Sequence, residues 1–266
     1  MIRSARQQQG FSLIEMMLAF VIGLIVAGSA LQLMLSNSRS ASVNEFMATA
    51  QENGRHSLYV MSRELRRAGY RTDAQTLPAE PFYTGKCQGA AVCTQDGGGT
   101  VSDRVAIQYE PQVDPNTGDR RDCAGGLVPD GALTADVYYV AVDAANNDIS
   151  TLFCIGYDPV SETARAPGNP LALVQGVERL QAVYGVGPAG TTIIDKYVTA
   201  SAVSNWQEVR GIRVGVLVSA GDSSRVFDQR IRTYNLLNSG SESFNDQTPR
   251  YVYSTAVRLN NTGLIL

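Results

Sequence analysis

The sequence predicts an α+β fold, in which one long N-terminal α-helix packs on an antiparallel β-sheet with disulfide-stapled loops. Three observations lead to this prediction. Residues 11–35 form an apolar run, helical periodicity continues to residue 68, and alternating strand patterns begin only after residue 103. A long helix followed by antiparallel strands is typical of the α+β class. The chain accordingly divides into residues 1–10, 11–35, 36–70 and 71–266.

The apolar run is predicted to be a membrane-spanning helix. It is 25 residues long, and a helix needs about 20 apolar residues to cross a bilayer core. Its single charge is Glu15, the fifth residue of the run. A carboxylate at such a position is costly without a partner. We expect the partner to be an α-amino group, freed by cleavage between Gly10 and Phe11, on the same chain or on a neighbouring copy.

Cleavage at this junction differs from the processing of an ordinary secretory signal. An ordinary signal carries its apolar region before the cleavage site and loses it. Here the Gly10–Phe11 junction precedes the apolar run. Cleavage there would make residues 1–10 a removed leader and would leave the apolar run on the mature protein. A plain single-span anchor with an incidental Glu15 is the alternative.

Residues 36–70 are predicted to continue the helix as an amphipathic segment that packs on the globular domain. Small or apolar residues recur every three or four positions, which is the spacing of one helical face. They are Val43, Phe46, Met47, Ala50, Gly54, Leu58, Met61, Leu65 and Ala68. Charged residues, Glu64 among them, fall largely off this face. Gly69 is expected to end the helix, because glycine commonly follows the last helical residue.

Residues 71–266 are predicted to form a β-rich globular domain. Strand-like runs cover residues 104–109, 137–142, 151–155, 179–186, 211–219, 227–234 and 251–259. Asn146, Asn147 and Asp148 indicate a hairpin between two of these runs. A short helix is expected at residues 200–206. Residues 239–243 have the Ser- and Gly-rich composition of a surface loop.

Four cysteines lie beyond the apolar run, at Cys87, Cys93, Cys123 and Cys154. In an oxidising periplasm they would form disulfides, and four cysteines allow three pairings. We favour Cys87–Cys93 and Cys123–Cys154, because each pair closes a loop between neighbouring elements. Zinc is the rival interpretation, but there is no Cys-x2-Cys spacing, and the only histidine, His56, lies far away in the helix.

The charge balance gives no sign of a nucleic-acid partner. The net charge is −3 and the isoelectric point is about 5.3, whereas nucleic-acid-binding domains carry basic patches. Arg3 and Arg6 precede the apolar run, while residues 33–38 carry no charge. Because cytoplasmic flanks are enriched in Lys and Arg, we expect a single-pass membrane protein whose N-terminus lies inside and whose C-terminal domain lies outside.

No residue pattern predicts a catalytic, cofactor-binding or metal site, so the protein is not expected to be an enzyme. His56 has no second histidine, and no Gly-x-Ser-x-Gly motif is present. Residues 114–119 offer some oxygen ligands for calcium, but they lack the spacing of an EF-hand and suit an ordinary turn. Arg63, Arg66 and Arg67 are expected to form a solvated helix face.

The N-terminal segment resembles the class III signal of type IV pilins and type II secretion pseudopilins. The match consists of Arg3, Arg6, Gly10, Phe11 and Glu15, with Phe-Ser-Leu-Ile-Glu where the family has a Phe-Thr-Leu-Ile-Glu-type start. The resemblance implies that a prepilin peptidase cuts after Gly10 and methylates the new N-terminal Phe11. It also implies that Glu15 acts in charge pairing during assembly.

Further motifs resemble the PilW family of type IV pilus minor pilins. They are Glu52-Asn53-Gly54-Arg55, Leu65-Arg66-Arg67-Ala68-Gly69-Tyr70, Asp122-Cys123, Gly176-Val177-Glu178 and Val257-Arg258-Leu259-Asn260. The resemblance implies a pilin-like fold and a minor pilin that primes pilus assembly at the inner membrane and then sits in the extracellular tip complex. Twitching motility and adhesion would depend on contacts with other minor pilins, the major pilin and a PilY-type tip adhesin.

Two other functions remain open at this stage. A J-type minor pseudopilin of a type II secretion system would carry the same signal and the same long helix. A membrane-anchored periplasmic binding protein or enzyme would carry the signal by coincidence, and a free or methylated Phe11 at the mature N-terminus would exclude it. The motifs around Gly54 and Gly69 favour the pilus.

Overall fold

The computed structural model describes residues 12–73, 79–87, 91–166, 168–220 and 227–262. The chain divides between Glu45 and Phe46 into two compact units. Helix α1, Leu13–Leu65, begins in the first unit and ends in the second. Antiparallel strands and two disulfides follow it, which confirms the predicted α+β class.

The strands of the second unit form two antiparallel sheets and a separate ribbon. They are β1 Val105–Tyr109, β2 Thr134–Asp143, β3 Ile149–Asp158, β4 Thr163–Ala164, β5 Leu171–Gln175, β6 Val177–Val186, β7 Lys196–Val198, β8 Val209–Val218, β9 Arg230–Asn235, β10 Ser241–Asp246 and β11 Tyr251–Arg258. The first sheet has the order β1-β2-β3-β4, with β5 also paired to β3. The second has the order β11-β8-β6-β7, and β9 pairs with β10 alone among the described strands.

The predicted strands recur in the structure, and the differences have local causes. Of residues 239–243, expected as a surface loop, the last three belong to β10, where Ser241 to Asp246 pair with β9. Cross-strand pairing here overrides the weak strand propensity of the sequence. The short helix expected at residues 200–206 consists of two 3-10 turns, Ala200–Ala202 and Trp206–Glu208. Strands β4, β5 and β7 also lie outside the predicted runs.

The second unit packs against one face of its part of α1. The buried residues of the helix are Phe46, Ala50, Gly54, Ser57, Val60, Met61, Glu64 and Leu65. Met61 and Leu65 belong to the main hydrophobic core, together with side chains from both sheets. The face therefore joins the two sheets through a shared core, as helix-on-sheet packing requires.

Glu64 was expected off this face, but it is only 6% exposed. Its carboxylate oxygens lie 2.7 Å from a nitrogen of Arg63 and 2.6 Å from a nitrogen of Arg67. A buried carboxylate is tolerated when it is paired and hydrogen-bonded. The two neighbouring arginines therefore permit a charged residue at a buried position, which periodicity in the sequence does not reveal.

Gly54 allows α1 to approach the second sheet closely. The ring of Tyr253 on β11 lies over it, and a Cβ atom built on Gly54 would be 2.3 Å from two ring carbons. That distance is far below normal van der Waals contact. Glycine inside a helix costs about 1 kcal/mol relative to alanine, so this close approach gives a structural reason for a helix-weakening residue here.

Helix α1 ends at Leu65, three residues before the predicted end, and residues 66–69 form a turn that is held by a glycine and by an asparagine that follows β11. Gly69 has a φ of +78°, which favours glycine, and its N–H donates to the carbonyl oxygen of Gln108 at 2.8 Å. The Nδ2 group of Asn261 donates to the carbonyl oxygens of Arg66 and Ala68 at 3.1 and 3.2 Å. These bonds satisfy carbonyl groups that the end of a helix leaves unpaired.

We expect Gly54→Ala to destabilise the second unit. The added methyl group would overlap the Tyr253 ring, and overpacking of this kind costs about 1–3 kcal/mol. The accompanying gain in helix propensity is about 1 kcal/mol, so we expect a net loss of up to about 2 kcal/mol. Chemical denaturation of the full chain in detergent micelles, followed by the fluorescence of Trp206, measures the free energy of unfolding.

Two further variants test the reason for this loss. Gly28→Ala is the matched control, because nothing lies within 4 Å of a Cβ atom built on Gly28. The double variant Gly54→Ala/Tyr253→Ala removes the overlapping ring and should show a favourable coupling energy between the two sites. Equal stability of Gly54→Ala and Gly28→Ala would contradict the close-approach explanation.

Candidate functional site

The first half of α1 is an exposed apolar surface. All residues from Ser12 to Ala41 are exposed, and the helix has the length and composition of a membrane span. Residues 13–35 extend about 35 Å at 1.5 Å per residue, close to the roughly 30 Å thickness of a bilayer core. Exposed apolar surface of this extent marks a membrane or protein contact.

Glu15 lies in the first turn of α1, on this surface. It is exposed, and it is the only charged residue between residues 12 and 38. A negative charge in the first turn interacts favourably with the helix dipole. The carboxylate is therefore accessible to a positive group from outside the helix. Gly10 and Phe11 lie outside the described residues, so cleavage and N-methylation there stay predictions.

The structure joins the two cysteine pairs that we favoured from the sequence. The Cα atoms of Cys87 and Cys93 are 5.1 Å apart, and those of Cys123 and Cys154 are 6.2 Å apart. The second disulfide connects the segment before β2 to β3 across 31 positions of the chain. Cross-links of this kind stabilise a fold mainly by restricting the unfolded chain.

One cluster in the described residues has the composition of a metal site. The sulfur atoms of Cys123 and Cys154 and a carboxylate oxygen of Asp136 lie within 4.8 Å of one another. Zinc binds cysteine as a thiolate, but both sulfurs are joined in the disulfide. The residues present therefore do not fit a thiolate metal site while the disulfide is intact.

Asp136 belongs instead to a buried polar chain that runs from α1 to this disulfide. The guanidinium carbon of Arg67, which pairs with Glu64, lies 4.1 Å from the centre of the Tyr109 ring. The Tyr109 hydroxyl donates to Oδ2 of Asp136 at 2.6 Å, and the N–H of Cys123 donates to the same oxygen at 3.2 Å. The polar chain thus connects α1, β1, β2 and the disulfide loop.

Burial raises the pKa values of three buried carboxyl groups, those of Asp103, Asp122 and Asp136. Burial raises the pKa of Asp136 to about 7, although its hydrogen bonds and the charge of Arg67 lower it. Burial also raises the pKa of Asp103 to about 6. The two oxygens of Asp103 accept from the N–H groups of Gly97 and Ala182, both at 2.8 Å. Asp103 therefore connects the glycine-rich loop at residues 97–99 to β6 through these two hydrogen bonds.

Raised carboxyl pKa values also occur in catalytic acids, but here the surroundings indicate a structural role. Asp136 and Asp103 bind groups of their own fold, namely a tyrosine hydroxyl and backbone N–H groups. His56, the only histidine of the chain, is exposed on α1. The described residues thus bring together no nucleophile and base in the arrangement that catalysis requires.

The other residues considered from the sequence take part in local structure. Asp114 accepts from the N–H of Asn116 at 2.8 Å, the bonding pattern of an Asx turn. Trp206 packs against the rings of Phe82 and Tyr184, with centroids 5.5 and 4.9 Å away. Arg67 was expected on a solvated face, but it is half-buried in the polar chain.

Sequence reasoning did not identify Asp136 or Asp103. Both are acidic residues at the edge of a β-rich run, Asp136 just before residues 137–142 and Asp103 just before residues 104–109. A carboxyl group flanking an apolar strand is a signal for a buried polar contact, because burial of the charge without a partner is unfavourable. The partners themselves come from distant segments.

Two protein-family models match the chain. Residues 137–261 match PilW, described as type IV pilus-assembly protein W, and residues 5–31 match the prokaryotic N-terminal methylation motif. Among solved structures, a type IV-like pilin from Thermus thermophilus is similar at 15% identity and a TM-score of 0.38. The similarity covers 77% of this chain and 94% of that one. Comparison with curated proteins gives no match.

The free energy of unfolding should fall as pH rises from about 4 to about 7. Asp136 and Asp103 have higher pKa values in the fold than the usual 3.8. The folded state therefore holds more protons than the unfolded state in this window, and stability decreases with pH. The contribution is fully present below about pH 4 and is lost as pH passes the folded-state values.

The variant Asp136→Asn tests the charge of Asp136 separately from its hydrogen bonds. Its amide oxygen still accepts from Tyr109 and Cys123, but the group no longer ionises. We expect stability close to the parent near pH 4 and a gain on the order of a few kcal/mol at pH 8. Denaturation curves of the full chain in micelles across this range measure the difference. An unchanged pH slope in the variant would contradict the assignment.

Proposed function

We propose that this chain, a type IV pilin-like protein of the PilW family, is a minor pilin that primes pilus assembly at the inner membrane and then occupies the tip complex of the fibre. The observation that carries the proposal is the exposed apolar half of α1 with Glu15 in its first turn. Such a surface needs lipid around it before assembly and other helices around it afterwards.

Before assembly, the span holds the subunit in the inner membrane. Arg3 and Arg6 would stay on the cytoplasmic side, and the second unit would lie in the periplasm. This orientation gives a prepilin peptidase access to the Gly10–Phe11 bond from the cytoplasmic side. It also puts the two disulfides in an oxidising compartment, where they persist.

During assembly, α1 would leave the lipid for a bundle of helices from other subunits. Glu15 would neutralise the N-terminal amine of a neighbouring subunit in that bundle. An unpaired charge in a low-dielectric environment costs several kcal/mol. The pair would therefore favour one register of neighbouring helices over misdocked arrangements.

The proposed partners are other minor pilins, the major pilin and a PilY-type tip adhesin. Through them the protein would support twitching motility and adhesion. We propose a structural role without catalysis, and the PilW domain supports it because that domain belongs to pilus assembly. A J-type minor pseudopilin of a type II secretion system is the second candidate, because the methylation motif and the long helix suit it equally well.

Glu15→Ala should impair incorporation into fibres while leaving the second unit folded. The substitution removes the carboxylate that would pair with a neighbour's amine, and the second unit begins 31 residues later at Phe46. Immunoblots of sheared fibres against membrane fractions measure incorporation. Glu45→Ala, an exposed glutamate further along α1, is the matched control, and normal incorporation of Glu15→Ala would contradict the charge pair.

A clean deletion in the native bacterium should remove surface fibres and twitching while secreted enzymes stay at their normal level. Fibres are scored by electron microscopy and secretion by enzyme activity in the medium. Loss of secretion with fibres intact would refute the pilus assignment in favour of the pseudopilin. Complementation with the intact gene is the control for effects on neighbouring genes.

A further inference from the structure

A cleft in the second unit brings two arginines to one cavity. The cavity has a volume of about 510 Å³, and its walls include Arg71, Tyr83, Gln108, Asp158 and Arg165. Arg71 follows the end of α1, whereas Arg165 follows β4. The two guanidinium groups come from segments more than ninety positions apart in the sequence, so only the fold brings them together.

Both arginines have N–H groups without an acceptor. The Nε atoms of Arg71 and Arg165 are buried without a hydrogen-bond partner. Within the described ranges, the Arg71 guanidinium makes no hydrogen bond and no ion pair. A guanidinium carries five N–H donors, and buried donors are normally paired. The guanidinium of Arg71 therefore has N–H donors without an acceptor at the wall of the cavity.

The Arg165 side chain is fixed by contacts within the fold, but not all of its N–H groups have an acceptor. Its side chain is 9% exposed, and Nη2 donates to the carbonyl oxygen of Leu133 at 2.9 Å. The same nitrogen lies 3.7 Å from Oδ1 of Asp158, which also accepts from the N–H of Val160 at 2.9 Å. These contacts use one end of the guanidinium and orient it, while Nε stays without an acceptor.

The charged groups around the cleft leave the guanidinium of Arg71 without a carboxylate partner. Arg71 and Arg165 supply two positive charges, and Asp158 supplies one negative charge, so the lining has a net charge of +1. Beyond the lining, the carboxylate of Asp122 also attracts Arg165, and the charge of Glu162 acts on Tyr83 together with that of Asp158. The carboxylates thus act on Arg165 and Tyr83, whereas Arg71 has no ion pair within the described ranges.

We propose that this cleft binds the carboxylate of an acidic peptide segment from another protein, a partner class that rests on the proposed role in assembly. The two oxygens of a carboxylate match the fork of a guanidinium. Because the Nε atoms are covered by protein, the carboxylate would contact the outer nitrogens of the Arg71 guanidinium.

The size and walls of the cleft favour a peptide over a bare anion. Its volume lies in the range of about 300–1,000 Å³ that is usual for ligand pockets, far above the roughly 30 Å³ of a water-sized group. Pro129, Leu133, Pro159 and Val160 supply apolar wall, and Val160 is 92% exposed. A carboxylate flanked by apolar side chains would contact both parts of this surface.

The test is a titration of the full chain, labelled with ¹⁵N at arginine, in maltoside micelles. The probes are acetyl-Leu-Asp-Leu-amide, its isostere acetyl-Leu-Asn-Leu-amide and inorganic phosphate. We expect the acidic peptide to shift the side-chain N–H signals of Arg71 and Arg165 saturably. The amide peptide should bind at least about tenfold more weakly, because it lacks the charge-assisted hydrogen bonds.

Arg71→Gln should reduce binding of the acidic peptide by about tenfold, since it removes the unpaired guanidinium. Arg66→Gln is the matched control, because Arg66 also lies near the end of α1 but is exposed and does not line the cleft. Arg71 has no structural partner to lose, whereas Arg165 holds Leu133, so Arg71→Gln is the cleaner variant. Circular dichroism checks that it folds.

Any of four results would overturn the proposal. They are no saturable shift with the acidic peptide, equal binding of both peptides, phosphate binding as tight as that of the acidic peptide, or full binding by Arg71→Gln. Failure here is distinguishable from failure of the proposed function, because peptide binding is measured on the isolated protein and fibre incorporation of Glu15→Ala is measured in cells.

Discussion

The apolar first half of α1 has to be covered by molecules other than its own chain. Residues 12–41 are exposed throughout, and the large side chains among them would order water over a long surface. Lipid meets this requirement for a single subunit, and neighbouring helices meet it in an assembly. An apolar helix with one carboxylate in its first turn suits both environments.

The second unit holds its part of α1 by specific contacts rather than by apolar surface alone. Gly54 admits the ring of Tyr253, Gly69 turns the chain out of the helix, and Asn261 binds the last carbonyl groups. Each contact joins α1 to a residue almost two hundred positions away or to a neighbouring strand. The helix is therefore positioned by the completed sheet, which agrees with the general rule that tertiary packing supplies most helix stability.

The buried polar chain adds specificity at some cost in stability. Glu64, Arg67, Tyr109 and Asp136 are held in one network beside the Cys123–Cys154 disulfide. Apolar residues of similar volume would avoid the desolvation of these groups. A polar network, however, accepts few alternative arrangements, so it defines how α1, β1 and β2 meet. The disulfide beside it restricts the same region in the unfolded chain.

Local sequence patterns determined the elements of this protein that depend on neighbouring residues. Four such features can be predicted from neighbouring residues, because helix and strand periodicities span only a few positions. They are the apolar run from Phe11, the position of Glu15, the helical face that ends at Leu65, and the alternating strands. The tertiary structure decided the contacts between distant segments. Glu64 is buried because Arg63 and Arg67 neutralise it, Ser241 to Asp246 form a strand because β9 pairs with them, and Arg71 shares a cavity with Arg165. Such contacts arise from packing among residues far apart in the chain, and no local period encodes them.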